Sequence, residues 1–512
     1  MGPIVYSPAV TTSTDQTGAA NWLNPDYCDR LEDWVKMAHC YGGQRRVKDQ
    51  GETYLNPTAG MRRAGFPNAN TPGAAAYDAY RMRARFPDYC YRAVCGLVGI
   101  VHASAPVIEL PDALEPMHKS ATIAGESLET LWMRITAAQL IYGRHGLLLE
   151  VGSGLKVDEA LPFIVPYNAV SIVNWDKGQR TQGREELELV VLDESGLERK
   201  QNLQFEFVRR YRIVARADVA ATIGMVDQSQ AAGGEYVAAV VNVTEGGQLS
   251  GAQFIAPQIG GVSLDHIPFA FINTNDLVPA TDLPPLLGLA DLSLAIYRGD
   301  ADHRHALYAS AQDTLVRTGA TEEQQNLPVG AGAVVDVPIG GDAKYIGPES
   351  AGLSEMRESK KEDKQEAEGF VLQMLDSSGR EAESGEALRI RVAARMATLY
   401  SLQNTAAQAL TDIMTSAGEW MGLPASELAK IVIKPNLDFG DVKANTQALR
   451  ELMDAKIKGA PLSDRTIHGW ARNNGFTEMA FEEEIEELIR EEMDRPGGDA
   501  GINIDPTQSP TE

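Results

Sequence analysis

Cysteine is scarce in this chain of 512 residues, with four in all. Cys28, Cys40, Cys90 and Cys95 are too few and too irregularly spaced for a disulfide framework, so reducing, cytosolic conditions fit. Long hydrophobic runs are missing too. The longest nearly apolar stretch, Val94 to Leu110, is interrupted by glycines, His102, Ser104, Pro106 and Glu109, which excludes a membrane span there. Met1 to Ala20 is polar and rich in Ser and Thr, without the basic and apolar regions of a secretory leader. Positive charge is short as well: 46 Lys and Arg face 71 Asp and Glu, for a formal net charge of −25. A protein that grips duplex DNA statically normally shows a basic patch or a basic balance. Either DNA is not a partner here, or it passes close by without sticking. A plain soluble acidic protein is the simpler alternative.

Signatures of catalysis are equally thin. No Gly-x-x-x-x-Gly-Lys-Ser/Thr loop occurs, so the chain is not itself an ATP-driven motor. No Gly-x-Ser-x-Gly elbow or His-Glu-x-x-His helix appears. The best metal-like cluster is Asp300-Ala-Asp-His-Arg-His305, where Asp302 and His305, and Asp300 and Arg304, share helix faces. One such edge rarely closes a metal site, and a hydrated helix or intersubunit ion pairs suit it better. Cys90 and Cys95, flanked by tyrosines, read as buried core thiols. Glu185 and Glu186 would be the carboxylate pair of an acidic polysaccharide or ester hydrolase, but neighbours in a strand point to opposite faces. No catalytic residue, metal site or cofactor is expected.

What is present is a chain with 44% hydrophobic residues, ample for cores, and a length that suggests two to four sub-domains. Helical spacing predicts helices over Asp26–Ala38, Ala74–Arg85, Asp88–Val101 and Ser127–Tyr142, with loops at Tyr54–Pro57 and Gly65–Gly73. Gly143 should end the fourth helix and Gly146–Val151 should form a buried strand. From about Pro162 to Thr274 short alternating runs predict strands at Phe163–Tyr167, Ser171–Trp175, Leu187–Leu192, Phe205–Val214, Tyr236–Val243 and Pro268–Ile272, as in an antiparallel meander. The first 280 residues or so thus read as α+β.

The most distinctive stretch is residues 285–421. Pro284-Pro285 suits the start of a helix running to about Ala311, apolar at Leu286, Leu289, Ala290, Leu294 and Tyr297. Its other end, Arg298 to His305, is almost wholly polar and predicts a solvent-lined extension. A Gly-rich module, Gln312 to Glu349, reads as turns and short strands, including Leu327–Pro338 and Ala343–Gly347. A helix of mixed charge over about Gly352–Leu375 would ordinarily be only a solvated face. The polar run Asp376–Gly385 breaks it. From Glu386 to Met421, Leu388, Val392, Met396, Leu399, Leu402, Ala406, Leu410, Ile413, Ala417 and Trp420 recur at helical spacing. About 35 residues at ~1.5 Å rise would span about 50 Å, so either a domain-spanning core helix or a channel wall is implied. Beyond Gly422-Leu-Pro424, Lys430–Lys434 reads as a strand. Thr446–Ile457 and Phe481–Met493 read as helices, and Arg495–Glu512 as a disordered tail.

Several runs resemble the portal proteins of tailed double-stranded DNA bacteriophages. They are Tyr80-Arg-Met-Arg-Ala-Arg-Phe-Pro87 with Cys90–Gly99, Tyr142-Gly-Arg-His-Gly-Leu-Leu-Leu149, Tyr167–Trp175 and Leu289–Arg298, together with the order of parts after residue 280. The resemblance covers roughly residues 20–490 and rests on the combination, not on any short signature. It implies a portal fold: an α+β wing over 1–284, a stem helix over 285–311, a small α/β clip over 312–350 and a second stem helix over 351–375. A tunnel loop over 376–385, a long wing helix over 386–421, and a wing return strand and helical crown over 422–494 would follow, then a tail over 495–512. It further implies a homo-oligomeric ring, typically a dodecamer, at the capsid vertex of the virion, assembled in the host cytoplasm. Partners would be the terminase large subunit, major capsid and scaffolding proteins and a neck or tail adaptor, with no membrane. Double-stranded DNA would make transient contact with the tunnel loop at Ser378, Gly379 and Arg380. Lys344 and Tyr345 of the clip would meet terminase and later the neck. An acidic hydrolase and another head–tail connector component are the alternatives.

Overall fold

The computed structural model describes residues 23–152, 161–179, 185–200, 203–222, 236–243, 249–250, 254–310, 314–318, 340, 342–346, 351–375 and 385–436, with parts of 453–490. The chain divides into two units, Met1–Leu437 and Asp438–Glu512. The first mixes helices with open antiparallel sheets, the α+β class expected from the sequence.

Helix α1 (Pro25–Tyr41) starts where the Asn24 side chain accepts the Asp26 amide at 2.9 Å and Pro25 needs no helical partner. Its Trp34 is fully buried and donates Nε1–H to Tyr142 O at 2.8 Å. There follow α2 (Gly43–Asp49), α3 (Ala59–Arg63), α4 (Pro72–Arg83) and α5 (Tyr89–Val101). α4 begins earlier than the hydrophobic pattern predicts because Thr71 caps it, accepting the Ala74 amide, and proline fills the first position. After β1 (Val107–Glu109) and α6 (Glu115–Lys119), α7 (Leu128–Tyr142) runs from the Ser127 cap to Gly143. Gly143 has φ of 71°, and a Cβ there would lie 2.8 Å from Leu283 O, so this turn requires glycine.

The strands come in the order β2 (Arg144–Val151), β3 (Pro162–Asn168), β4 (Ile172–Gln179), β5 (Glu185–Asp193), β6 (Gly196–Arg199), β7 (Phe205–Val208) and β8 (Arg210–Arg216). Helix α8 (Ala217–Thr222), β9 (Tyr236–Val243), β10 (Leu249–Ser250) and β11 (Phe269–Asn273) complete the series. They do not form the single meander that alternation suggests. One sheet has the order β10-β9-β8-β5-β4, a second the order β11-β2-β3, and β6 and β7 make a separate hairpin. The run Phe205–Val214 splits at Arg209: β7 turns back onto β6, whereas β8 enters between β5 and β9. Alternation reports which side chains face inward but not which strand lies next door, and here pairing is set by contacts far apart in sequence. β2 is the centre of its sheet, with Leu147, Leu148 and Leu149 at most 1% exposed. It pairs with β11 on one side, Arg144 opposite Asn273, and with β3 on the other, His145 opposite Asn168.

The rest of the unit comprises α9 (Leu287–Ser310), β12 (Thr314–Thr318), β13 (Asp342–Ile346), α10 (Ala351–Leu375), α11 (Gly385–Trp420), α12 (Ala425–Leu428) and β14 (Val432–Lys434). Gly422, with φ of 73°, follows the long helix. β14 then pairs antiparallel with β1, Ile433 opposite Ile108, so the chain returns to its N-terminal third. Cys40 and Cys90 are buried. Cys95 is exposed, which corrects its reading as a core thiol: α5 turns Ala93, Val94, Leu97 and Val98 inward and position 95 outward. Among the described residues no helix is long and apolar enough to cross a membrane.

In the second unit the main described element is the helix Asp464–Asn473, which the hydrophobic pattern did not single out. Ser463 caps it, accepting the Thr466 amide at 3.1 Å, and Lys456 pairs with Asp464. The His468 ring lies 5.3 Å from that of Phe481. Most of Thr446–Ile457 and Phe481–Met493, and all of Arg495–Glu512, lie outside the described residues.

Candidate functional site

The helices α9, α10 and α11 hold the sequence's most distinctive stretch, and the structure shows how they are fixed. Leu286, just before α9, and Leu289, Ala290, Leu294 and Tyr297 within it are buried as the spacing predicts. Its polar end is not simply solvent-lined. Asp300 is 6% exposed and is the centre of a charge cluster. Its Oδ1 accepts from Lys360 Nζ of α10 at 2.9 Å, and its Oδ2 accepts from Arg304 Nε at 2.6 Å and from the Arg85 amide at 2.9 Å. Burial pushes this carboxyl's pKa up, but the bonds from Lys360, Arg304 and Arg85 outweigh it and hold the group below the usual aspartate range.

The neighbouring members of the metal-like cluster have other partners. Asp302 accepts from Tyr80 Oη, and His305 Nδ1 lies 3.2 Å from Arg83. Asp302 and His305 are thus each occupied by the α4 segment, and Asp300 by cations. Among the described residues no group of three His, Cys, Asp or Glu side chains could hold a metal.

Between α9 and α10 lies the antiparallel pair β12–β13, with Thr314 opposite Ile346 and Thr318 opposite Asp342. The strand Thr314–Thr318 lies within the module read as turns and short strands, but the sequence pattern does not single it out, because Thr-Leu-Val-Arg-Thr is too short to declare a period. Lys344 and Tyr345 sit in β13 opposite Val316 and Leu315; their side chains, like the run Leu327–Pro338, lie outside the described residues. So do Ser378, Gly379 and Arg380, which fall in the interval between α10 and α11.

The described part of α11 is enclosed on more than one face. Leu399, Leu402, Ala406, Leu410, Ile413, Ala417 and Trp420 are buried as predicted, and so are Gln403, Thr405, Ala409, Met414 and Ser416. Polar ties replace a purely oily contact there. Gln139 of α7 donates through Nε2 to Asn273 O at 2.7 Å and to Thr405 Oγ1 at 2.9 Å. Thr405 Oγ1 lies 3.1 Å from that same carbonyl, and Gln403 Nε2 donates to Thr136 Oγ1 at 2.9 Å. The long helix is thereby locked to α7 and to β11.

One arrangement looks catalytic. Ser416 Oγ lies 3.0 Å from His266 Nε2, and His266 Nδ1 lies 3.0 Å from Asp265 Oδ1, beside a cavity of about 390 Å³. The spacing is that of a nucleophile, base and orienting carboxylate. The setting is not. Ser416 lies within a continuous helix and its hydroxyl also has Asp412 O as an acceptor at 3.0 Å. Backbone amides around it serve the helix ladder, so they offer no pair of donors to a developing oxyanion. Asp265, 82% exposed at its side chain, is screened by water. The carboxylate pair weighed in the sequence fares no better. Glu186 is half-buried at the start of β5, and the Glu185 side chain lies outside the described residues.

Arg144 is the functional-looking residue the sequence did not reveal. It is fully buried, its guanidinium 4.1 Å from the Trp175 ring centre and 4.4 Å from that of Phe271. None of its three nitrogens has a hydrogen-bond partner among the described residues. Burial pushes its pKa down to about 9.

A family model described as a domain of unknown function (DUF4055) matches residues 285–421, from just before α9 to just past α11. No curated protein matches the chain. Among solved structures, the chain is similar to one from the virion of a native gene transfer agent particle, with TM-score 0.39 and 15% identity over 81% of this chain and 97% of the other. It is also similar to one from the neck of an empty particle of that kind computed with C6 symmetry, with TM-score 0.37 and 15% identity over 80% and 95% of the two chains. A third, from the neck of the native particle computed with C12 symmetry, has TM-score 0.37 and 15% identity over 76% and 89%.

Proposed function

We propose that this chain is the subunit of a portal ring, a structural channel at a capsid vertex through which double-stranded DNA is packaged and later ejected. The observation that carries the reading is the arm built by α9, β12, β13 and α10. A helix leaves the α+β body and an antiparallel strand pair reverses the chain. A second helix returns beside the first, tied to it by Lys360 and Asp300. A helix of 36 residues, about 54 Å long at ~1.5 Å per residue, then runs back through the body. Repeated around an axis, such an arm would line a hole. Heterologous contacts between identical copies close into rings when the rotation permits, typically of twelve for the family that the sequence resembles.

The charge of −25 suits that role, since an anionic wall repels phosphate and lets DNA slide. In this reading α9 and α10 are the stem, β12 and β13 belong to the clip, and residues 376–385 form the tunnel loop. Arg380 makes a weak positioning contact to passing phosphates with Ser378 and Gly379 beside it. Lys344 and Tyr345 lie where the terminase large subunit, and later a neck or tail adaptor, would dock. Major capsid and scaffolding proteins would surround the ring.

Negative-stain images of the purified protein test the ring directly. Rings with a central hole are expected, and a compact monomer overturns the proposal. For the tunnel contact, Arg380→Glu is expected to impair packaging or retention of DNA; unchanged values would remove Arg380 from the channel. The rival hydrolase reading has the Ser416–His266–Asp265 geometry in its favour and the place of Ser416 within a continuous helix against it.

A further inference from the structure

The chain is strongly acidic, yet α2, the end of α4 and the polar half of α9 gather four cations around one cavity of about 510 Å³. Lys48, Arg83, Arg85 and Arg304 line it, with Gln44 and Leu307 among the rest, and no carboxylate lines it. That volume is within the usual range of ligand sites, roughly 300–1,000 Å³. We propose that this cavity binds a phosphate group carrying two or more negative charges, supplied either by a small phosphorylated compound or by the backbone of a nucleic acid.

Of the four cations, Arg304 alone pairs with a carboxylate among the described residues. Arg83 stacks 4.2 Å over the Tyr308 ring and meets His305 Nδ1 at 3.2 Å, while its buried Nε has no hydrogen-bond partner among the described residues. Arg304 lines the cavity and is anchored through Nε to Asp300. Lys48 donates to Met82 O at 3.1 Å, and Arg85 is exposed. Among the described residues neither Lys48 nor Arg85 pairs with a carboxylate. Asp300, the partner of Arg304, is already shared with Lys360.

The ammonium of Lys48 is held below its ordinary value. Burial lowers its pKa first and Arg81 next, Asp300 pulls it back up, and the cavity's own Arg304 lowers it least. An anion in the cavity would offset the positive charge gathered around it. Arginines that keep free donors in a fixed fork grip a phosphate oxygen pair better than a single carboxylate oxygen does. Neutralising several cations at once suits a dianion or a diphosphate over chloride. The inference holds for a monomer or a ring and does not rest on the portal reading.

Calorimetric titration of the full chain with pyrophosphate at low salt tests it. Saturable binding is expected, weakened roughly tenfold or more by each of Lys48→Gln and Arg85→Gln, since each removes one charge-assisted contact. Arg85 is exposed and Lys48 half-buried, and far-ultraviolet circular dichroism should show both variants folded. Arg92→Gln, an exposed arginine outside the cavity, should bind as the parent does. Competition by a short DNA duplex would identify a nucleic-acid backbone as the source. Binding of pyrophosphate unaffected by duplex would identify a small phosphorylated compound. No saturable binding by the parent, or equal binding by both variants and the parent, overturns the proposal. So does a change in oligomeric state in these variants without any phosphate binding, which would make the cavity a seat for acidic side chains of a second copy.

Discussion

Lys360 Nζ lies 2.9 Å from Asp300 Oδ1 and joins the returning helix α10 to the outgoing helix α9 through a carboxylate that is 6% exposed. Asp300 also accepts from Arg304 and from the Arg85 amide, so one side chain holds three segments together. Asp300→Asn keeps the size and removes the charge. It is expected to cost about 2–3 kcal/mol at neutral pH, because the two cations lose their partner.

The sign of the pH dependence follows from the depressed carboxyl of Asp300. Its unfolded value is ordinary, ~3.9, and its folded value is lower. The stabilisation is therefore complete well above pH 4 and drains away as the pH falls through the folded value. Urea midpoints of parent and Asp300→Asn should differ at pH 7 and converge in acid. Equal midpoints at pH 7 would show that the α9–α10 contact rests on packing alone.

Arg144 supplies the opposite prediction. Its buried guanidinium has aromatic rings on two sides and no hydrogen-bond partner among the described residues, so cation–π attraction and the longer-range pull of Asp26 and Asp282 are what offset its desolvation. A flexible apolar side chain of similar length gives up that attraction and also removes the desolvation cost. Arg144→Met is expected to leave stability within about 1 kcal/mol of the parent or to raise it. A loss of several kcal/mol would mean that the charge has a partner in the working assembly.

Thr405 is a small residue with a large structural role. Its hydroxyl sits between Gln139 Nε2 at 2.9 Å and Asn273 O at 3.1 Å, where α11 crosses α7 and β11. Thr405→Val keeps the shape and deletes the acceptor for Gln139. A destabilisation of about 1–2 kcal/mol is expected, measured by chemical denaturation, whereas Thr411→Val, whose hydroxyl bonds only within its own helix, should cost less.

Much of the fold was legible because its strongest signals are local. Gly143 and Pro285 mark helix ends through backbone constraints that any neighbour-free peptide would feel, and the stripe Leu399 to Trp420 needs only the helical period. The β-sheet order was not legible. Arg144 lies opposite Asn273 across a separation no window can span, and the break at Arg209 depends on which partner each half finds. The charge cluster was half visible: Asp300 and Arg304 share a face by spacing, but Lys360 and Arg85 come from remote segments. The cationic cavity escaped altogether, since its cations come from three elements and each looks like a surface residue alone.

Ser416 and His266 close the question of hidden chemistry in a measurable way. Their 3.0 Å contact ties the segment before β11 to the long helix, and the hydroxyl proton has two acceptors within reach, His266 Nε2 and Asp412 O. A structural bond of this kind is worth about 0.5–1.5 kcal/mol. Ser416→Ala should therefore lower the stability by that amount, read from the unfolding midpoint. The parent protein should resist labelling by a fluorophosphonate, which acylating serines attack readily and helix-bound hydroxyls do not. Stoichiometric labelling of the parent, lost in Ser416→Ala and in His266→Ala, would instead make this cavity an esterase site. The helix around Ser416 has no spare amides to offer a tetrahedral adduct, so the expected outcome is an unlabelled protein.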